Sequence, residues 1–191
     1  MESNSLLTLR NITKKFGDKI DHKDVKNRKD LRDEIIFTID GEDAKDLDDA
    51  VSVKKLSNGN YRLNAHIADV SYYVKDRSKL DREARIRGTS VYMLGRVIPM
   101  LPRELSNGLC SLNQGEDRYA LSCTMEIDES GKVVDSDVYK SIIKVTERMS
   151  YTDVQKILDA SDEKVTKKYS KYINDFKLME ELALILKNKR K

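Results

Sequence analysis

Residues 35–51 read Ile35-Ile36-Phe37-Thr38-Ile39-Asp40-Gly41-Glu42-Asp43-Ala44-Lys45-Asp46-Leu47-Asp48-Asp49-Ala50-Val51: an apolar run, an acidic loop, and the opening of a second apolar run. A short apolar run bounded by turn residues is the pattern of a buried strand, so two strands meet at this loop. Residues 40–49 hold six carboxylates in ten positions. Crowded acids repel one another, and a divalent cation offsets that repulsion. Hard carboxylate oxygens suit Mg²⁺ or Mn²⁺, so the spacing points to a metal centre at a strand end.

Working outward, Ala50–Leu56, the Asn58-Gly59 turn and Tyr61–Val70 predict a β-hairpin after the acidic loop. Ser78-Lys79-Leu80-Asp81 has the form of a capping box, and Gly88 supplies a stop, so a short helix is expected between them. A loop then carries Tyr92 and Ile98-Pro99-Met100-Leu101-Pro102. Tyr119, Leu121, Cys123, Met125 and Ile127 alternate with Ala120, Ser122, Thr124 and Glu126, the pattern of a half-buried strand with the first set inward. Ser130-Gly131 turns the chain into a further strand over Val133–Arg148, and Ser150-Tyr151-Thr152-Asp153 opens another helix. Val165, Tyr169, Tyr172, Phe176, Met179, Ala183 and Leu186 then recur at spacings of four and three. That gives one apolar helix face, too short for a coiled coil and expected to dock on a core. The sum is a mixed α/β fold with a largely antiparallel sheet and packed helices.

Before residue 31 the chain is polar and charged, with Leu6, Leu7, Leu9, Ile12 and Phe16 hinting at a short amphipathic helix. Residues 1–30 are expected to be a linker or arm, and 31–191 the main domain. The length of 191 residues suits one sizeable domain. Lys+Arg at 36 against Asp+Glu at 33 leaves a net charge of only +3, so distribution matters more than balance. Basic residues gather at 23–32, at 82–87 and at 187–191, and a basic surface around an acidic pocket suits a polyanionic substrate. Nothing approaches the roughly 20 apolar residues of a membrane span, and the amino terminus lacks the order of a signal peptide, so a cytoplasmic protein is expected. Cys110 and Cys123 are spaced for neither a redox pair nor a zinc site and are expected in the core. His66, within a strand, is expected to be a core histidine.

The spacing of the loop separates its readings. An EF-hand starting at Asp40 or Asp46 would need a ligand where Ala44 or Ala50 stands, so that reading fails. A glycosidase needs only two carboxylates on separate walls and leaves the rest unexplained. A solvated acidic turn would not obviously sit between two apolar strands. The two-metal arrangement asks for aspartates converging from a strand end and the following turn, where ions roughly 4 Å apart grip the attacking and leaving oxygens of a phosphodiester. Asp40 at the strand end and Asp46, Asp48 and Asp49 at the return meet that demand.

These residues resemble the signature of the ribonuclease II/ribonuclease R family. His66-Ile67-Ala68-Asp69-Val70-Ser71, Leu80-Asp81-Arg82-Glu83-Ala84, Arg87-Gly88-Thr89-Ser90-Val91-Tyr92, Ile98–Pro102 and Leu105-Ser106-Asn107-Gly108-Leu109-Cys110-Ser111-Leu112 follow in the same order as in that catalytic domain. The likeness runs from Arg28 to Val154 and is expected to extend into the helical tail, with the ribonuclease R branch closer. It implies a processive, Mg²⁺-dependent 3′-to-5′ exoribonuclease that releases nucleoside 5′-monophosphates from single-stranded RNA. By position, Asp40, Asp46, Asp48 and Asp49 match the family's active-site aspartates, with Asp48 foremost in catalysis. Tyr92 matches an aromatic that stacks on a terminal base, and Tyr151 a second channel-side aromatic. The family also carries cold-shock and S1-type RNA-binding barrels on either side of this domain, together with a later phosphate-binding arginine. The chain is therefore expected to be the amino-terminal part of a catalytic domain, inactive alone if the missing groups are indispensable. The rival expectation is a non-catalytic RNA- or metal-binding module that retains the fold.

Overall fold

The computed structural model describes residues 19–20, 22–94 and 96–190. The helix expected around residues 6–16 lies outside them. A 3₁₀ turn over His22–Asn27 leads into β1 (Lys29–Asp30), β2 (Phe37–Asp40), β3 (Asp49–Lys55) and β4 (Tyr61–Ala68). Two helices follow, α1 (Val70–Tyr73) and α2 (Lys79–Arg87), then the short strands β5 (Val91–Met93) and β6 (Arg96–Ile98) and a π-helical turn over Glu104–Leu109. The long strands β7 (Asp117–Ile127) and β8 (Val133–Lys144) lead to β9 (Glu147–Ser150), α3 (Tyr151–Leu158), α4 (Glu163–Lys168) and α5 (Ile173–Lys189).

Seven strands form one sheet in the order β1-β8-β7-β4-β3-β2-β9. The edge pairs β1/β8 and β2/β9 are parallel, and every pair between them is antiparallel. The fold is therefore the mixed α/β architecture with a largely antiparallel sheet that the patterning implied. Strand β2 and the residue leading into it explain the unbroken apolar run. Ile36 enters the large core cluster with Leu47, Tyr119 and Ile142, while its neighbour Phe37 enters a second cluster with Met149, Tyr172 and Phe176. A strand covered on both faces has no polar side to alternate with.

The capping signals operate as read. The Ser78 hydroxyl accepts the Asp81 N–H, Gly88 closes α2 with a positive φ of 73°, and the Ser150 hydroxyl accepts the Asp153 N–H at the head of α3.

Five readings change, the first being the single strand expected over Val133–Arg148, which is split into β8 and β9 near opposite edges of the sheet. The tail of the expected arm is built into the domain: Ile20 is in the core and β1 pairs with β8. The segment around Tyr92 is not loop throughout, because Val91–Met93 and Arg96–Ile98 pair as an antiparallel hairpin. Three-residue strands are too short for alternation to register. In β7 the middle of the inward set is reversed, with Leu121 38% exposed and Ser122 fully buried. The reason is that the covered face is lined with polar residues that bond one another. The Ser122 hydroxyl meets His66 Nδ1 and the Ser141 hydroxyl, each at 2.6 Å. Last, the helical tail is interrupted by a 3₁₀ turn over Ser170–Tyr172, and further on, within α5, the buried stripe changes. Tyr169, Tyr172 and Phe176 are buried as expected, but Leu182 replaces Ala183 in contact with Val53, Tyr61 and Ile127.

Candidate active site

The acidic loop runs from the last residue of β2, Asp40, to the first residue of β3, Asp49. Leu47, between Asp46 and Asp48, is 1% exposed and packs in the large core cluster. Burying Leu47 turns its two neighbours the other way, toward the surface. Asp46 and Asp48 line a cleft of about 320 Å³ together with Ile67, Val70, Ser90, Met100, Ser106 and Cys110. Burial pushes the Cys110 thiol up to about 12, so it stays protonated and acts as a wall. Cys123 is half-buried and likewise free of any disulfide.

All four aspartates share one basin of negative potential. Burial, then the charge of Asp49, raises the Asp40 carboxyl above the usual range; Asp48 and Asp46 add to this and Arg148 partly opposes it. Asp48 is raised by burial and then by Asp46 and Asp49. Among the described residues nothing hydrogen-bonds the buried Oδ2 of Asp40. A buried carboxylate oxygen without a donor is costly, and a cation is the partner that removes the cost. As the side chains stand, no group of three His, Cys, Asp or Glu among the described residues is close enough to hold an ion. The donor set suits a hard cation, while a shared grip requires the carboxylates to turn inward from their present rotamers.

The two tyrosines singled out by resemblance lie on either side of this loop. The Tyr92 hydroxyl, on the β5–β6 hairpin, donates to Asp46 Oδ2 at 2.9 Å, and its ring is left 68% exposed. That bond, more than charge, lifts the Tyr92 phenol above its ordinary range. Tyr151 is the first residue of α3 and 65% exposed, directly after Ser150, which pairs with Asp40 across β2 and β9. Exposed rings of this kind, Tyr92 bonded to a cleft residue and Tyr151 next to the strand position that pairs with Asp40, are suited to stacking on flat ligands.

Of the other expectations, that for His66 holds and those for two basic runs do not. His66 is fully buried, bonded to Ser122, and held neutral by a pKa lowered by burial to about 4. It is a core residue. Arg28, part of the basic run, is instead buried against Asp69 at 2.6 Å and lies over the Tyr119 ring. On α2 the basic run is partly neutralised, Arg85 pairing with Asp81 and Arg87 with Glu83.

Two residues to which the sequence reading gave no role at the site bear on it, Ser111 and Arg148. The buried Ser111 hydroxyl accepts the Leu47 N–H and donates to the Lys45 carbonyl, each at 3.1 Å. Arg148 Nη2 donates to the carbonyls of Glu42 at 2.9 Å and Ala44 at 2.7 Å. Both contacts reach across more than 60 positions of sequence, a separation at which no spacing rule operates.

The RNB domain family matches residues 28–191. Ribonuclease R of Thermotoga maritima is 56% identical over 169 residues, covering 88% of this chain and 24% of that protein. Ribonuclease R 1 of Lactococcus lactis is 52% identical over 174 residues, covering 91% of this chain and 21% of that one. Among solved structures, Mycoplasma genitalium RNase R in complex with ribose-methylated single-stranded RNA superposes with a TM-score of 0.85 at 33% identity. That superposition covers 96% of this chain and 28% of the other. The chain belongs to the RNB-domain family, and it spans about a quarter of the length of these relatives. Among the described residues no helix is long and apolar enough to cross a membrane.

Proposed function

We propose that this chain carries the acidic centre of a 3′-to-5′ exoribonuclease that hydrolyses single-stranded RNA to nucleoside 5′-monophosphates in the cytoplasm. Asp40, Asp46, Asp48 and Asp49 are the residues that would hold Mg²⁺, with Mn²⁺ a substitute of similar hardness. The observation that carries this reading is the unpartnered, buried Oδ2 of Asp40 in a cluster where burial and neighbouring aspartates raise the Asp40 and Asp48 carboxyls.

When bound, the cation supplies positive charge against the phosphate oxygens, where negative charge builds during cleavage. The carboxylates fix where that charge sits. Water attacks phosphorus as the bond to the 3′-oxygen breaks; the proton lost from water balances the one gained by the departing oxygen. Tyr92 and Tyr151 hold the terminal nucleotides by stacking, which tolerates any base, as a degradative enzyme requires. Ile67, Val70 and Met100 give the cleft an apolar wall that strengthens the electrostatic interactions inside it.

The test is release of mononucleotides from single-stranded RNA by the chain with Mg²⁺, abolished by Asp48→Asn. Activity that survives this substitution would count against the assignment. A second reading, an RNA- or metal-binding module that cleaves nothing, is favoured by the present separation of the carboxylates. Ion uptake without any mononucleotide release would select it.

A further inference from the structure

The acidic loop is irregular in conformation yet held at nearly every peptide. The peptide before Asp46 offers the Lys45 carbonyl, and the peptide after it offers the Leu47 N–H; the single Ser111 hydroxyl serves both. The next carbonyl, that of Leu47, accepts the Leu112 N–H at 2.8 Å, and the carbonyl of Asp48 accepts the Ala68 N–H at 2.9 Å. Ser111 is fully buried, and Arg118 Nε fixes its carbonyl from behind at 2.8 Å. On the outer side, Arg148 ties down the carbonyls of Glu42 and Ala44, and its own N–H is held by Gln114 at 3.1 Å. The segment between Asp40 and Asp48 is thus gripped from the core by a hydroxyl and from the surface by a guanidinium.

We infer that Ser111 and Arg148 are positioning residues for the carboxylate cluster, setting the backbone from which Asp40, Asp46 and Asp48 reach a common cation. The inference rests on the metal reading above. Carboxylates that repel one another drift apart unless their backbone is fixed, and a fixed backbone lowers the cost of gathering them around an ion. Groups that orient ligands without touching the metal commonly change affinity by about 10- to 100-fold. Arg148 allows a test of sign. As a cation near Asp40 it should oppose a bound metal ion, so its removal on charge grounds alone tightens binding. As a clamp, its removal weakens binding.

The experiment is Mn²⁺ titration of the full 191-residue chain without RNA, read by calorimetry and by the electron spin resonance of the free ion. Ser111→Ala is expected to weaken Mn²⁺ binding about tenfold or more, and to speed hydrogen exchange at the Leu47 amide. Arg148→Lys and Arg148→Gln are both expected to weaken it, the glutamine variant despite its lost charge. Ser122→Ala, which removes a buried hydroxyl elsewhere in the sheet, is the control and should leave Mn²⁺ affinity unchanged. Tighter or equal binding by Arg148→Gln overturns the inference, as does a Ser122→Ala variant as impaired as Ser111→Ala. If Ser111→Ala does not fold, the exposed Arg148 pair decides alone. Wild-type chain that binds Mn²⁺ with variants indifferent to it sinks the clamp only; wild-type chain that binds none sinks the metal reading and the clamp together.

Discussion

Asp69 and Asp40 both stand where a strand of one sheet ends, and their surroundings are opposite. Asp69, just past β4, is 1% exposed and saturated with donors: Arg28 at 2.6 Å, the Ser71 hydroxyl at 2.7 Å and the Tyr72 N–H at 3.1 Å. Burial alone would raise its carboxyl, but those bonds and the Arg28 charge outweigh it and hold the group below the usual range. Asp40, closing β2, faces Asp46, Asp48 and Asp49 and has an oxygen with no donor among the described residues. One aspartate arrives with its partners; the other is surrounded by its own kind. The contrast separates a carboxylate retained for the fold from one retained for chemistry, since only the latter leaves its favourable interaction to be made by something outside the chain.

The sharpest way to break this comparison is to apply one chemical change to both sites. Asp69→Asn keeps an oxygen for the Tyr72 N–H but leaves Arg28, 3% exposed, without its counter-charge. Uncovering a buried charge costs about 3–5 kcal/mol. Chemical denaturation should therefore show a loss of that order, large for a domain whose total stability is of order 10 kcal/mol. A loss below about 1 kcal/mol would mean that Asp69 is no more structural than the loop aspartates, and the distinction would fall.

The two sites also differ in how far sequence exposes them. The acidic loop is legible because its chemistry is local: six carboxylates between two apolar runs announce themselves, and the strand boundaries fall within two or three residues of those expected. Arg28–Asp69 was invisible, joining positions 41 apart and hidden in a basic run that looks like a solvated face. The same holds for Ser111 and Arg148, whose value lies wholly in what they reach across the fold. The error in β7 has a related cause. Alternation marks an inward face only if that face is apolar, and here the buried side carries Ser122, Ser141 and His66, linked through the Ser122 hydroxyl. The change late in α5, Leu182 in place of Ala183, comes from what the helix meets there: Phe176 and Met179 keep the expected face, while the following turns lie over Val53, Tyr61 and Ile127, contacts that no spacing announces.

Tyr92 tests the loop side at intermediate scale, because its ring and its hydroxyl serve different partners. Tyr92→Ala removes both and is expected to weaken binding of single-stranded RNA by about 1–3 kcal/mol, the usual worth of a base stacked on an aromatic ring. Tyr92→Phe keeps the ring and loses only the bond to Asp46. Fluorescence titration with a short oligonucleotide should therefore separate the two, with Tyr92→Phe near wild type in RNA affinity. Equal losses from both variants would assign the effect to Asp46 and its setting rather than to stacking.

The smallest effect carries the most distinctive sign. Asp48→Asn removes one member of a mutually repelling set, so without divalent ions it should leave the fold unharmed or gain a few tenths of a kcal/mol, the ordinary worth of a poorly screened charge pair near the surface. The pH dependence follows from the directions of the shifts. Asp40 and Asp48 have folded-state pKa values above the ordinary 3.8, so between 3.8 and those raised values the folded chain binds more protons than the unfolded one. Their contribution therefore worsens as pH rises through that window and recovers as pH falls. Asp69, with its pKa depressed, works in reverse: its contribution is complete above 3.8 and is lost as pH falls through the lower folded-state value. Thermal melts from pH 3 to 7 should accordingly show Asp48→Asn gaining on wild type toward neutrality and converging with it in acid. Mg²⁺ should raise the wild-type midpoint and move the variant less. A variant less stable than wild type at every pH, with no convergence, would mean that Asp48 has a stabilising partner in the fold and that the repulsion inferred for the loop is not what its neighbours impose.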